Sequence, residues 1–203
     1  DLESEEQVLD IIVEAVEKSG FQKGKDFKIS LDVAASEWKG SSVGKYTMPK
    51  KNKNVTSDEL IEMWENIVNK YPIFSIEDPL DEEDWEGWKK LTQRIGSKVR
   101  LVGDDLFVTN VNRLQKGIKE KSANAILIKP NQIGSITETI KAVQLAQKKG
   151  MIAIMSHRSG ESEDKTIADL AVALNTGYIK TGAPCRGERT TKYNQLLRLE
   201  EMS

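Results

Sequence analysis

Short apolar segments alternate with amphipathic helical segments along nearly all of the 203 residues. The apolar segments have the length and composition of β-strands, and the segments between them place apolar residues at helical spacing. The predicted strands are 27–33, 73–76, 99–102, 125–128, 151–155 and 178–179. Unbroken apolar strands that alternate with helices indicate a parallel sheet covered on both faces. The sequence therefore predicts an α/β fold of six consecutive βα units.

Capping signals set the predicted helix boundaries. Ser4 followed by Gln7 predicts a first helix that ends at Gly20, and Thr56 or Ser57 caps the second. Further helices are predicted over 82–95, 111–119, 136–148, 166–174 and 188–201. Residues 36–55, rich in Gly, Ser, Lys and Asn, are predicted to form a long loop. No linker or change in composition divides the chain, which we interpret as one domain over 1–203.

The charge balance and the cysteine count exclude several classes of protein. The 30 Lys and Arg residues nearly cancel the 32 Asp and Glu residues, so a nucleic-acid binder with a basic excess is not expected. Cys185 is the single cysteine, which excludes an intrachain disulfide scaffold. No apolar stretch approaches the roughly 18 residues of a membrane span. These features favour a cytoplasmic protein, and the missing initiator Met suggests a piece of a longer one.

A charged residue stands at or just after the end of every predicted strand. These residues are Asp32, Glu77, Asp104, Lys129, His157 with Arg158, and Lys180. From Glu77 onward they recur at intervals of 27, 25, 28 and 23 residues. In a closed parallel barrel the carboxyl ends of all strands open onto one face, so these side chains are expected to converge there. Taken singly, each is as well explained as the first solvated residue of a loop.

The three carboxylates of this set, on Asp32, Glu77 and Asp104, suit a hard cation such as Mg²⁺ better than zinc. Solvated acids are the alternative interpretation, but converging carboxylates repel one another without a cation. Lys129 and Lys180 form a second group. Neighbouring positive charge favours the neutral amine, so either lysine could act as a base. A salt bridge to the carboxylates is the alternative role for both.

A third group of candidates follows the fifth predicted strand. Arg158 offers a planar fork and Ser159 a hydroxyl, which together suit a phosphate or carboxylate. His157 is the only histidine in the chain, and its place beside Arg158 leaves a structural and a functional role about equally open. No serine stands in a nucleophile elbow, which argues against a Ser-His-acid triad.

Six segments of the chain resemble the enolase family, in family order. They are Leu31–Glu37, Ser75–Pro79, Val102–Leu106, Leu127–Gly134, Ser156–Glu161 and Ile179–Pro184. The resemblance implies that Asp32, Glu77 and Asp104 bind catalytic Mg²⁺ and that Lys129 removes the C2 proton of 2-phosphoglycerate. A Lys or His base that works with Mg²⁺ is the established chemistry of enolase-superfamily sites, and the resemblance carries it over.

The resemblance also implies how the substrate is held and where the protein acts. Arg158 and Ser159 would bind the phosphate, His157 would line the substrate site, and Lys180 would contact the substrate carboxylate. Loss of water from C3 would then give phosphoenolpyruvate, a glycolytic reaction of the cytoplasm. A homodimer is implied for the full-length protein, with no nucleic acid and no membrane span.

The chain is shorter than the family pattern. Enolases have a separate N-terminal α+β domain and an eight-stranded TIM-like barrel, so six strands imply the middle and C-terminal part of that barrel. The glutamates that protonate the leaving hydroxyl, and a loop serine for a second Mg²⁺, would lie outside this sequence. We therefore expect the isolated 203-residue chain to be inactive.

Two alternative functions remain at this stage. One is a non-catalytic module that binds plasminogen at the cell surface through loop lysines. Those lysines would be Lys39, Lys45, Lys50, Lys51 and Lys53. The other is a different superfamily proton abstractor, a racemase or cycloisomerase, against which the phosphate-oriented pair Arg158 and Ser159 argues.

Overall fold

The structure is a computed structural model, and it describes residue 2 and residues 4–49 and 52–203. The helices are α1 (Glu5–Lys18), α2 (Ser57–Lys70), α3 (Trp85–Ile95), α4 (Val111–Glu120), α5 (Pro130–Ile133), α6 (Ile136–Lys148), α7 (Thr166–Ala173) and α8 (Gly187–Glu201), with a 3₁₀ helix at Ala35–Trp38. The strands are β1 (Ile29–Asp32), β2 (Lys45–Met48), β3 (Lys53–Thr56), β4 (Ile73–Glu77), β5 (Arg100–Gly103), β6 (Ala125–Ile128), β7 (Ile152–Ser156) and β8 (Tyr178–Lys180).

The chain forms two compact units. Unit 1 is Asp1–Leu106 with Glu120–Ala123, and unit 2 is Phe107–Lys119 with Asn124–Ser203. Within the described residues each unit holds three parallel strands, which are β1, β4 and β5 in unit 1 and β6, β7 and β8 in unit 2. The six parallel strands alternate with helices along the chain, which confirms the predicted α/β class.

Unit 1 places the ends of its three strands side by side. β4 lies between β1 and β5, and the register pairs Asp32 with Glu77 at the last position of β1 and β4. Trp64 of α2 and Trp88 of α3 are buried, as are the sheet residues Ile76 and Leu101. Burial of large apolar side chains of this kind contributes about 1.5–3 kcal/mol each. The packed core thus fixes the strand ends that carry the acidic residues.

The predicted loop over 36–55 is wrong in part. Lys45–Met48 and Lys53–Thr56 pair as an antiparallel hairpin, and a 3₁₀ helix precedes it. The hairpin forms because Tyr46, Met48 and Val55 alternate with polar residues and are buried. The predicted cap of α2 is confirmed, since the Thr56 side chain accepts a hydrogen bond from the Glu59 amide.

A buried polar network joins this hairpin to the first turn of α3. Asp84 caps α3 by accepting the Gly87 amide at Oδ1. The other oxygen of Asp84 accepts the Tyr46 hydroxyl at 2.7 Å and the Ser57 hydroxyl at 2.5 Å. The Tyr46 oxygen in turn accepts the amide of Asp81 at 3.0 Å. Burial and the bond to Asp84 raise the pKa of Tyr46 well above its ordinary value, so this phenol stays protonated.

Unit 2 is built around β6, whose four residues Ala125–Ile128 are all buried. The observed ends of β6 and of α6 match the predicted ones. The ends of the other parallel strands differ from the predicted ends by one or two residues. The short helix α5 is an unpredicted element that begins at Pro130, directly after β6. Proline suits a first helical position because its missing N–H would have no partner there. Among the described residues, no helix has the length and apolar character needed to cross a bilayer.

Candidate functional site

Three carboxylates of unit 1 lie close together at the ends of β4 and β5. Asp78, Asp104 and Asp105 each offer an oxygen, and these oxygens lie within 4.8 Å of one another. Asp78 and Asp104 are buried, and Asp105 is half-buried. Carboxylate oxygens without thiolate or imidazole form the donor set that Mg²⁺ prefers. The residues present therefore fit a hard divalent cation.

Asp78 organises this cluster through its side chain. Its two oxygens accept the amides of Asp104 at 2.9 Å and Asp105 at 2.8 Å, while its own amide donates to the Val102 carbonyl. Burial raises the pKa of Asp78 to about 8, the two amides oppose that rise, and the charges of Asp104 and Asp105 add to it. Asp78 thus fixes the backbone that presents Asp104. The raised pKa of Asp78 shows that full ionisation of all three carboxylates of the cluster is unfavourable.

The three predicted metal ligands occupy neighbouring positions in unit 1. Asp32 is exposed at the end of β1, and its register partner Glu77 is buried at the end of β4. Asp104 follows β5 and belongs to the close cluster. Asp78 and Asp105 were not predicted, although each directly follows a predicted ligand in the sequence. The sequence signal for both was an acidic residue directly after a predicted acidic ligand. The ligand role of Asp32, Glu77 and Asp104 stays a prediction.

Lys129 stands at the end of β6 in unit 2, where the chain turns into α5. It is half-buried, and it is the N-cap residue of α5 with an extended backbone. Its amide donates to the Thr109 hydroxyl at 2.9 Å. Pro130 favours the extended conformation of the residue before it. The local sequence therefore fixes the backbone from which the Lys129 side chain projects.

His157 and Lys180 are neighbours at the ends of β7 and β8. The His157 amide donates to the Lys180 carbonyl at 3.0 Å, and both residues are half-buried. Burial lowers the pKa of His157, and the charges of Arg189 and Lys180 lower it further. The imidazole is therefore neutral at physiological pH. The structure brings these two predicted residues of unit 2 together.

The loop that follows His157 borders a cavity of about 650 Å³ in unit 2. Arg158 is half-buried, its guanidinium donates to Asn131 at 3.2 Å, and its amide donates to Glu161 at 3.1 Å. Ser159 is exposed. Asn131, Glu161 and residues of the start of α7 line the cavity. Both predicted phosphate ligands thus belong to the loop that borders this cavity.

The lysines considered for a surface-binding role differ in their surroundings. Lys45 and Lys53 are exposed on the hairpin. Lys39 lies 3.4 Å from the buried carboxylate of Asp81, so it is engaged within unit 1. Lys50 and Lys51 lie outside the described residues. Plasminogen binding through this set stays a prediction.

Comparison with known families gives a match that covers the whole chain. The family described as "Enolase, C-terminal TIM barrel domain" matches residues 1–203. The match includes the acidic cluster of unit 1 and the strand-end residues of unit 2.

Proposed function

Because this chain belongs to the family of enolase C-terminal TIM barrel domains, we propose that the protein containing it converts 2-phosphoglycerate to phosphoenolpyruvate as a magnesium-dependent lyase. The observation that carries the proposal is the set of acids at the strand ends of unit 1, in a chain with this family match: Asp32 pairs in register with Glu77, and Asp104 lies in the close carboxylate cluster. The reaction is a step of glycolysis, and we propose a cytoplasmic homodimer that acts on this small-molecule substrate.

In this proposal the acids of unit 1 hold the metal. Asp32, Glu77 and Asp104 are the ligands, and Asp78 holds the Asp104 backbone in place through the hydrogen bond at 2.9 Å. When bound, Mg²⁺ supplies positive charge that makes a proton next to an ionised carboxylate more acidic. Asp78 contributes less to binding, because both of its oxygens already accept amide hydrogens.

The residues of unit 2 act on the substrate. Lys129 acts as the base and takes the proton from C2. The electron pair of that C–H bond forms the C2–C3 double bond as the C3–O bond breaks, and a general acid, a glutamate in the family pattern, protonates the hydroxyl so that it leaves C3 as water. Arg158 and Ser159 bind the phosphate, and Lys180 pairs with the carboxylate. His157 lines the same part of the site. A positioned general base of this kind contributes about 10²–10⁴-fold to the rate.

The experiment measures phosphoenolpyruvate formation from 2-phosphoglycerate, with Mg²⁺ and with a chelator, in the protein that contains this chain. We expect turnover that requires Mg²⁺ and that falls by about 10²-fold or more in Lys129→Ala, because the base is removed. Lys148→Ala is the matched control, since Lys148 is exposed at the end of α6 and should leave turnover unchanged. Turnover in Lys129→Ala equal to that of the unsubstituted protein would exclude Lys129 as the base. Absence of Mg²⁺-dependent turnover would exclude the reaction.

A further inference from the structure

Arg189 of α8 contacts three successive residues of the loop after β7. Its Nη1 lies 2.6 Å from Nδ1 of His157 and donates to the Arg158 carbonyl at 3.0 Å. Its Nη2 donates to the Ser159 carbonyl at 2.9 Å. One guanidinium thus holds the three residues that the sequence assigns to substrate binding.

The contact with His157 determines where the imidazole carries its proton. A guanidinium has five N–H donors and no acceptor, so the nitrogen facing it must accept. Nδ1 can accept only while it carries no proton, and the single N–H of a neutral imidazole is then on Nε2. We infer that Arg189 is a positioning residue that keeps His157 neutral, with its proton on Nε2.

Close packing restricts the freedom of this pair. Gly182 lies beside both side chains, with φ of +86°, and a Cβ there would stand 3.0 Å from Arg189 Cδ and 3.3 Å from His157 Cε1. The Tyr193 hydroxyl donates to the Gly182 carbonyl and so fixes the glycine backbone. A substitution of Gly182 would strain its backbone and crowd this pair. Packing against Gly182, whose backbone Tyr193 holds, therefore restricts the positions of the Arg189 and His157 side chains.

The remaining charged groups around the ring agree with a neutral imidazole. Burial lowers the pKa of His157 most, followed by the charges of Arg189 and Lys180. Glu161 and the Thr181 carbonyl act in the opposite direction, and the net pKa is below the ordinary value of 6.5. Protonation at Nδ1 would also oppose two N–H groups at the contact with Arg189. The geometry and the charges therefore act together.

The consequence for catalysis depends on the proposed function. A neutral His157 with its proton on Nε2 can donate a hydrogen bond from that nitrogen without adding a charge that titrates near neutral pH. The charges beside it come from Arg189 and Lys180. Binding of an anionic substrate to this loop should therefore vary little with the protonation of His157 at neutral pH.

The test uses the 203-residue chain labelled with ¹⁵N at histidine. His157 is the only histidine, so long-range ¹H–¹⁵N NMR spectra report its tautomer and its pKa without assignment. We expect the Nε2–H tautomer and a pKa below 6.5. In Arg189→Gln the pKa should rise toward 6.5 and the Nδ1–H tautomer should become populated. Arg189→Lys keeps the charge and one donor to Nδ1, and it should retain part of both effects.

Arg198→Gln is the matched control, because Arg198 is an exposed arginine of the same helix. It should leave both properties of His157 unchanged. An Nδ1–H tautomer in the unsubstituted chain would overturn the inference, and this outcome does not depend on whether a variant folds. An unchanged tautomer and pKa in Arg189→Gln would overturn it as well. Since the spectra need neither substrate nor metal, a failed turnover assay with the expected spectra would exclude the proposed reaction alone.

Discussion

Lys192 and Glu161 form a buried ion pair in unit 2, with the lysine Nζ 2.6 Å from Oε2 of the glutamate. The other two Nζ hydrogens are donated to the carbonyls of Ser162 and Glu188, each at 2.7 Å. All three donors of the ammonium are therefore satisfied. The second oxygen of Glu161 accepts the Arg158 amide. The pair thus ties α8 to the loop that carries Arg158 and Ser159.

Substitution of Lys192 by methionine should destabilise the protein. The change leaves the Glu161 carboxylate and two carbonyls without their donor, and breaking a buried pair on one side is strongly destabilising. We expect a loss of about 3 kcal/mol in the free energy of unfolding, the lower end for such pairs, because 14% of the Glu161 side chain remains exposed. Urea denaturation measures it, with Lys148→Met as the exposed control. Equal stability of the two variants would show that the pair contributes nothing.

The Lys192–Glu161 pair should make the free energy of unfolding depend on pH. Burial raises the pKa of Glu161, but the bond from Lys192 and the Arg158 amide outweigh it, so the net pKa lies below 4.5. A carboxyl with a lowered pKa in the folded state contributes stability above its unfolded pKa of 4.5 and loses it as the pH falls through the folded value.

The measurement compares the unsubstituted chain with Glu161→Gln. The difference in their unfolding free energies should be largest above pH 4.5 and should shrink as the pH falls below it. Urea titrations across this range give the difference, in which contributions from other carboxylates cancel. A difference that stays constant with pH would contradict the lowered pKa.

Removal of the Asp78 carboxylate should destabilise unit 1. Asp78→Ala removes the acceptor of the buried Asp104 amide and of the part-buried Asp105 amide, and it places alanine at a φ of +42°. Each unsatisfied buried donor costs about 1–3 kcal/mol. Asp78→Asn should cost less, because its amide oxygen still accepts one hydrogen and asparagine tolerates positive φ.

Asp58→Ala is the control for this change, since it removes an exposed ion pair with Lys90 and one acidic residue from the first turn of α2. Such pairs contribute about 0–1 kcal/mol. Thermal or urea unfolding orders the three variants. If Asp78→Ala were no less stable than Asp58→Ala, the carboxylate of Asp78 would not be organising the turn.

Two substitutions separate the possible ligand sets for the metal. Asp104 belongs both to the ligands implied by the family and to the close cluster, whereas Asp32 belongs only to the first and Asp105 only to the second. Under the proposed function, Asp32→Asn should weaken Mg²⁺ binding by about tenfold or more, and Asp105→Asn should weaken it much less. Calorimetric titration with Mg²⁺ measures both. The opposite order would assign the metal to the cluster of Asp78, Asp104 and Asp105.

The sequence predicts best the parts of the fold that depend on local signals. Ala125–Ile128 is uniformly apolar and bounded by polar residues, so β6 was predicted with its observed ends. Thr56 carries its own capping partner three residues later. The hairpin was missed because its buried residues, Tyr46, Met48 and Val55, are spread among lysines, glycines and asparagines that resemble a loop.

The site could be predicted only to the level of strand ends. A residue at the end of an apolar segment is visible in the sequence, which is how Glu77 and Lys129 were found. The residues that hold the site in place act across long separations. Asp78 reaches amides 26 and 27 positions away, and Arg189 reaches a histidine 32 positions away. Such contacts depend on tertiary packing, which no local pattern encodes.

The Asp84 carboxylate makes the hairpin and the start of α3 a single cooperative element. If β2 and β3 separated from α3, Asp84 would lose the Tyr46 hydroxyl and keep only the Ser57 hydroxyl as a donor to that oxygen, while its other oxygen still caps the helix. Local unfolding of the β2–β3 hairpin therefore promotes local unfolding of the first turn of α3, and the reverse also holds. Backbone amides of Lys45–Met48 and of the first turn of α3 should exchange with solvent deuterium at matched rates, and Tyr46→Phe should abolish that match.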